Sequence, residues 1–294
     1  MPAPFVTALL QSNAILAAPL TRADRAEQFA ALCTELGVDP SSPSALEHLK
    51  DESRFSTQDI VGAVERMGSQ STFRGVAADD GWVSPDQLAY QRTTMGRDLR
   101  RAGVKCVITG DVRDEDNFYA LCHDTPDTAS LLPNVARYYP ENVAAALLAT
   151  YDALPEDAPA EACQARLGRV LADGQVHLPV RLLASDLVPS LPTVRYTVEL
   201  VPSALGYNGK VSHGSDLAIQ HLRTSVLTPA ETEAALAWHA ELNRAVGPAL
   251  DGGEFVQRGE EEVLMLQSNG TTAWVKDWRW PLLRAAQRVV RPDV

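Results

Sequence analysis

The stretch KCVITGDVRDEDNFY, Lys105 to Tyr119, decides how the rest of the chain is read. Val104 just ahead of it, with Cys106, Val107 and Ile108, makes an apolar and largely β-branched run, as a strand buried on both faces requires. Gly110 breaks the run, and Asp111, Arg113, Asp114, Glu115 and Asp116 crowd into the six positions that follow. The residues alone leave two readings of that charge. The acids can be a solvated strand-to-helix loop that complements the positive end of the next helix. Alternatively, one of them belongs to a site at the C-terminal edge of the sheet, where open α/β sheets bind ligands.

Outward from this strand, strand-like and helical patterns alternate, which predicts an α/β protein. FVTALLQSN (5–13) has strand length, and TRADRAEQFAALCTELG (21–37) has a helical apolar face with Gly37 as its C-cap. STQDIVGAVERMG predicts a helix capped by Ser56 or Thr57, and residues 70–103 read as a loop-rich crossing with a helix near Tyr90–Arg101. ACQARLGRVLADGQVHLPVRLLASDL is helical in parts, with breaks expected at Gly174 and Pro179. VRYTVELV (194–201) alternates as a strand, and Thr228-Pro229 starts a helix running to about Val246. EEVLMLQS and TTAWVKDW form a predicted hairpin around Asn269-Gly270, and WPLLRAAQRVV closes the chain as a helix.

Composition excludes several functions. A net charge of −12 argues against nucleic acid and against an anionic membrane surface as partners. No apolar run approaches the length of a membrane span. The first 21 residues contain no basic side chain, so they lack the positive segment of a signal peptide, and a cytoplasmic location is the expectation. The four cysteines, Cys33, Cys106, Cys122 and Cys163, are scattered without a CxxC pair, which predicts free thiols. The histidines show no HxH or HExxH spacing, and neither GxGxxG nor a P-loop occurs, so no metal and no cofactor are expected.

A second strand exit carries chemistry. The loop after VRYTVELV, PSALGYNGKVSHGSDLAIQHL, sets His213 between Ser212 and Gly214. A histidine among small residues can face a cleft, or it can be an isolated surface side chain. An acidic strand exit followed by a histidine strand exit is the order of a Ser…Asp/Glu…His triad. There the histidine takes the nucleophile's proton, and the acid fixes its tautomer and stabilises the imidazolium.

At this point the chain resembles type-B carboxylesterases, the α/β-hydrolase family that includes cholinesterases and fungal lipases. GDVRDEDNFY is similar to the family's Gly-x-x-x-Asp-Glu-Gly-x-x-Phe loop, which implies Glu115 as the catalytic acid. HGSDL is similar to its His-Gly-x-Glu/Asp-Leu loop, which implies His213 as the catalytic histidine. FVTALLQSNAI resembles the strand after the nucleophile helix, with Ser12 implied as hydrogen-bonding support for the acid–histidine pair. AEQFAALCTELGV, STFRGVAADDGWV and RYYPEN match further segments in order.

The departures define the expectation. No Gly-x-Ser-x-Gly elbow occurs, since GSQST and GSDLA both break the pattern. Asp116 and Asn13 stand where the family has glycine, and Val38 where it has a cysteine. The resemblance therefore implies a partial α/β-hydrolase fold: the C-terminal strands and helices of the mixed sheet, without the N-terminal strands and the elbow. Residues 1–294 are expected to form one type-B carboxylesterase domain truncated at its N-terminal side. Completed by an upstream half, such a chain would hydrolyse carboxylic esters through an acyl-enzyme, and alone it would be inactive. Ser12 lacks the strained turn and oxyanion donors of a nucleophile. The alternative is a catalytically dead hydrolase fold acting as a protein-binding module. Either way, an unpaired sheet edge predicts self-association or a partner. Many family members are secreted, and the substrate is not legible.

Overall fold

A computed structural model describes residues 2–12, 21–71, 86–206 and 208–291. Its described strands form one five-stranded sheet in the order β1 (Thr7–Gln11), β2 (Cys106–Val112), β3 (Thr193–Val198), β4 (Glu262–Leu266) and β5 (Thr272–Lys276). The first four run parallel, and β5 turns back antiparallel through the Asn269-Gly270 hairpin, where Gly270 takes φ +85°. Spatial order follows chain order, so each parallel neighbour is reached by a crossover carrying helix, as parallel pairing requires. The predicted α/β class and hairpin are present. Of the expected strands at 5–13 and 194–201, the structure has Thr7–Gln11 and Thr193–Val198, and Asn13 lies outside the described residues.

The two faces of the sheet are covered differently. On one, Cys106, Ile108, Val112, Val194, Tyr196, Val198, Leu264 and Leu266 pack with Ala235, Trp238, Leu242 and Val246 of the helix Pro229–Asp251. That helix starts with Thr228 as its cap and Pro229 in its first turn, as the sequence predicts, and Glu231 completes a capping box. It continues past the expected end near Val246 to Gly252, whose φ of +76° closes it. Gly110 is required in β2: a Cβ there would sit 2.4 Å from the Tyr196 ring.

The other face is partly ionic. Val107 packs with Leu183, Leu187 and Leu191, but Asp111 accepts hydrogen bonds from His177 Nδ1 and Arg181 Nη1, each at 2.7 Å. Arg181 also donates to both oxygens of Asp277 at 2.9 and 3.0 Å, and Arg195 Nη1 lies 2.7 Å from Asp277. All five side chains are buried. Burial alone would raise the pKa of Asp111, yet Arg181 and His177 hold it well below the usual range. Asp111 is therefore no solvated loop acid, which corrects that reading of its charge.

His177 and Arg181 reach Asp111 because the helix around them does not break. Ala160–Ala172 continues through a π-helical turn, Asp173–His177, into Leu178–Leu187. The expected breaks at Gly174 and Pro179 are absent. A proline clashes with the carbonyl four residues back in a regular α-helix, and the wider π-turn is the geometry that relieves it.

A second compact unit comprises residues 17–87 and 136–139. In it the helices Ala26–Glu35, Ala45–Lys50 and Thr57–Arg66 enclose Cys33, Val38 and Ala45. Of the two expected caps Ser56 is the one used, in a capping box with Asp59, and Gly37 ends the first of these helices at φ +66°. The segment STFRGVAADDGWV lies outside the described residues apart from Ser71.

Arg181→Ala would leave Asp111 and Asp277 buried with too little counter-charge. It is expected to cost about 3–5 kcal/mol, read from the urea unfolding midpoint. A loss under about 1 kcal/mol would mean that this network does not hold the helix to the sheet.

Candidate active site

Three strand exits meet at one carboxylate. Glu115 opens the helix Glu115–Cys122 just beyond β2, and it is fully buried. Its Oε1 accepts the Val112 amide at 3.1 Å and the hydroxyl of Ser12. Its Oε2 lies 2.7 Å from His213 Nδ1, in the loop after β3. Both oxygens act as acceptors, an arrangement that suits the carboxylate form. Parallel pairing sets the approach, because Gln11 stands opposite Gly110 and the Ser12 amide donates to Gly110 O at 2.8 Å.

The structure thus brings Ser12, Glu115 and His213 together. Ser12 does take a strained backbone, φ +48°, contrary to the unstrained strand end expected for it. Its hydroxyl is nevertheless committed to Glu115, on the carboxylate oxygen that does not meet His213. A nucleophile would need to face the other imidazole nitrogen, Nε2.

His213 is half-buried, and the Phe118 ring lies against it at 5.1 Å between centroids. Gly214 follows with φ +78°, a conformation that glycine takes without strain. The hydrogen bond from His213 Nδ1 to Glu115 raises the His213 pKa above its ordinary value, against an opposing effect of burial. With Nδ1 on Glu115, Nε2 is the nitrogen left to exchange a proton with a reacting group.

Two further acids went unassigned from sequence. Asp216 is buried three residues after His213, and burial together with the charge of Glu115 pushes its pKa up to about 6. Its Oδ2, the Tyr196 hydroxyl and Ser215 Oγ have no hydrogen-bond partner among the described residues. The acid position of HGSDL was the available signal. Asp114, read as loop solvation, accepts the buried amide of Val211 at 2.8 Å instead. Nothing local in the sequence marks that contact. Among the described residues no cluster of three or more histidine, cysteine or acidic side chains could hold a metal ion.

The fold is similar to that of solved esterase structures. A solved structure of a PNB esterase superposes with a TM-score of 0.64 over 96% of this chain and 58% of that protein, at 17% identity. A second structure of a PNB esterase gives 0.62 over 96% and 57%, also at 17%. In sequence, the chain is 26% identical over 302 aligned residues to a protein of Schizosaccharomyces pombe described as an uncharacterized esterase/lipase. The match covers 93% of this chain and 52% of that relative, so the chain spans about half the length of the relative it matches. No protein-family model matches the chain. By sequence and fold together, the chain is similar to the carboxylesterases that its motifs resemble.

His213 is expected to titrate above the ordinary histidine range, and the Glu115→Gln variant lower, read from its ring resonances. The raised folded pKa means that His213 contributes its full stability below pH 6.5. That contribution fades as pH rises through the folded midpoint. An identical midpoint in both proteins would contradict the pairing.

Proposed function

We propose that this chain carries the acid–base half of a carboxylic-ester hydrolase site. Glu115 orients His213, Ser12 braces Glu115, and the nucleophilic serine comes from a Gly-x-Ser-x-Gly segment not contained in the 294 residues. The observation that carries this reading is the 2.7 Å contact between His213 Nδ1 and a fully buried carboxylate. A buried carboxylate on Nδ1 is how such sites hold the tautomer with a free Nε2.

The reaction follows from that geometry. His213 Nε2 takes the proton of the serine hydroxyl as its oxygen attacks the ester carbonyl, and Glu115 stabilises the imidazolium. His213 then gives the proton to the departing alkoxide, leaving an acyl-serine. Water, deprotonated by the same nitrogen, releases the acid. By itself the chain supplies neither the nucleophile nor its oxyanion donors, and each is worth orders of magnitude in rate.

The sheet edge supports a partner for this half. β1 is the outer parallel strand among the described residues, and Leu9 on it is 40% exposed. An exposed apolar edge strand is a template for further strand pairing. A second copy or the remainder of a longer hydrolase could add there.

The test joins the chain to an upstream esterase half that carries a Gly-x-Ser-x-Gly segment. The product is expected to hydrolyse p-nitrophenyl butyrate and to react with a fluorophosphonate at the elbow serine. His213→Ala should lower kcat at least about 10³-fold. The chain alone is expected to take no label. Labelling of Ser12 in the chain alone, or full activity of His213→Ala, would overturn the proposal.

A further inference from the structure

We propose that Asp114 is a positioning residue for the Glu115–His213 pair, tying the acid loop to the histidine loop so that the two side chains meet. The proposal rests on the site reading above.

Glu115 and His213 come from neighbouring parallel strands, but sheet pairing controls direction only as far as Val112 and Val198. Beyond those residues the loops are free to diverge unless something joins them. Asp114 does so twice. Its amide donates to Val211 O at 3.0 Å, and its Oδ2 accepts the Val211 amide at 2.8 Å. This reciprocal pair lies one residue before Glu115 and two before His213. On the far side of Glu115, Asn117 Nδ2 donates to Ser212 Oγ at 3.1 Å. Glu115 is therefore flanked by cross-loop bonds on both sides, and both reach the two residues just before His213.

The acid loop is also fixed to the scaffold at the preceding residue. The Arg113 amide donates to Val198 O at 3.0 Å, and its carbonyl accepts Arg279 Nη2 at 2.7 Å. On the histidine side, Asp114 and Asn117 reach across with the bonds described, and Arg113 Nη2 adds a longer one to Gly209 O at 3.4 Å.

Asp114 acts through this bond and not through its charge. Its Oδ2 also accepts Arg113 Nε and Nη2 at 3.1 and 2.9 Å, and Lys210 Nζ lies 3.8 Å from Oδ1. These cations balance it locally. What no neighbour replaces is the acceptor for the Val211 amide, because Val211 is wholly buried. An orphaned buried amide is costly, and the loops would part to let water reach it. Displacement of a catalytic group by about 1 Å can cost about 10² in rate.

The test reads the Glu115–His213 hydrogen bond directly, in the chain as it is. In 15N-labelled protein, the His213 Nδ1 proton is expected at low field with a measurable lifetime against solvent exchange. Asp114→Ala should shorten that lifetime about tenfold, the equivalent of one hydrogen bond. Asn117→Ala should act in the same direction and less strongly. Asp114→Asn removes the charge but keeps an oxygen for the Val211 amide, so it should restore most of the lifetime.

A folded Asp114→Ala with an unchanged lifetime would overturn the proposal. So would Asp114→Asn with a lifetime as short as that of Asp114→Ala. If the alanine variant does not fold, an unaltered lifetime in Asn117→Ala, or a tenfold loss in Asp114→Asn, overturns it instead. Glu115→Gln tests the underlying reading separately. Persistence of the low-field proton in that variant would remove the Glu115–His213 pair itself, whatever Asp114 does.

Discussion

A carboxylate taken wholly out of water has to be met by hydrogen-bond donors, because an unpaired buried charge is among the costliest features a fold can carry. Glu115 is such a group, and its described donors come from three successive strand exits. Ser12 follows β1, the Val112 amide ends β2, and His213 follows β3. The parallel order of these strands is what lets residues 103 and 98 positions from Glu115 converge on one side chain. Loss of one donor affects the rest, since the carboxylate that braces Ser12 is also the one that orients the imidazole.

The asymmetry of the sheet serves the same end. One face is an apolar layer against the Pro229–Asp251 helix, and Gly110 lets the Tyr196 ring lie directly on β2. The other carries the buried chain His177–Asp111–Arg181–Asp277–Arg195. Asp111 lies four residues before Glu115, so the last turn of β2 is gripped from below by ions while its exit loop presents the acid above. Buried ion pairs are costly to break, whatever they contribute when whole. Here they brace the strand that leads into Glu115.

What the sequence made legible was local pattern. The apolar run before Gly110, the Asn269-Gly270 turn and the Thr228-Pro229 start each carry their physical cause within a few residues, and each recurs in the structure. Glu115, His213 and Ser12 were legible through their motifs, and the structure brings them together. The burial of Asp111 was not legible, because its partners His177 and Arg181 lie 66 and 70 positions away on a helix expected to break. The π-turn that keeps that helix continuous is a tertiary accommodation of Pro179 and has no simple sequence mark. Asp114 and Asp216 were passed over for a related reason. An acid in a charged loop looks the same in sequence whether it faces water or a buried amide.

The central claim is that Glu115 fixes the tautomer of His213, leaving Nε2 as the free base. Long-range 1H–15N correlation of the His213 ring in the neutral protein, at a pH above its raised midpoint, tests this most directly. The account predicts the Nδ1–H tautomer, with Nε2 resonating as the unprotonated nitrogen. A predominant Nε2–H tautomer would contradict it.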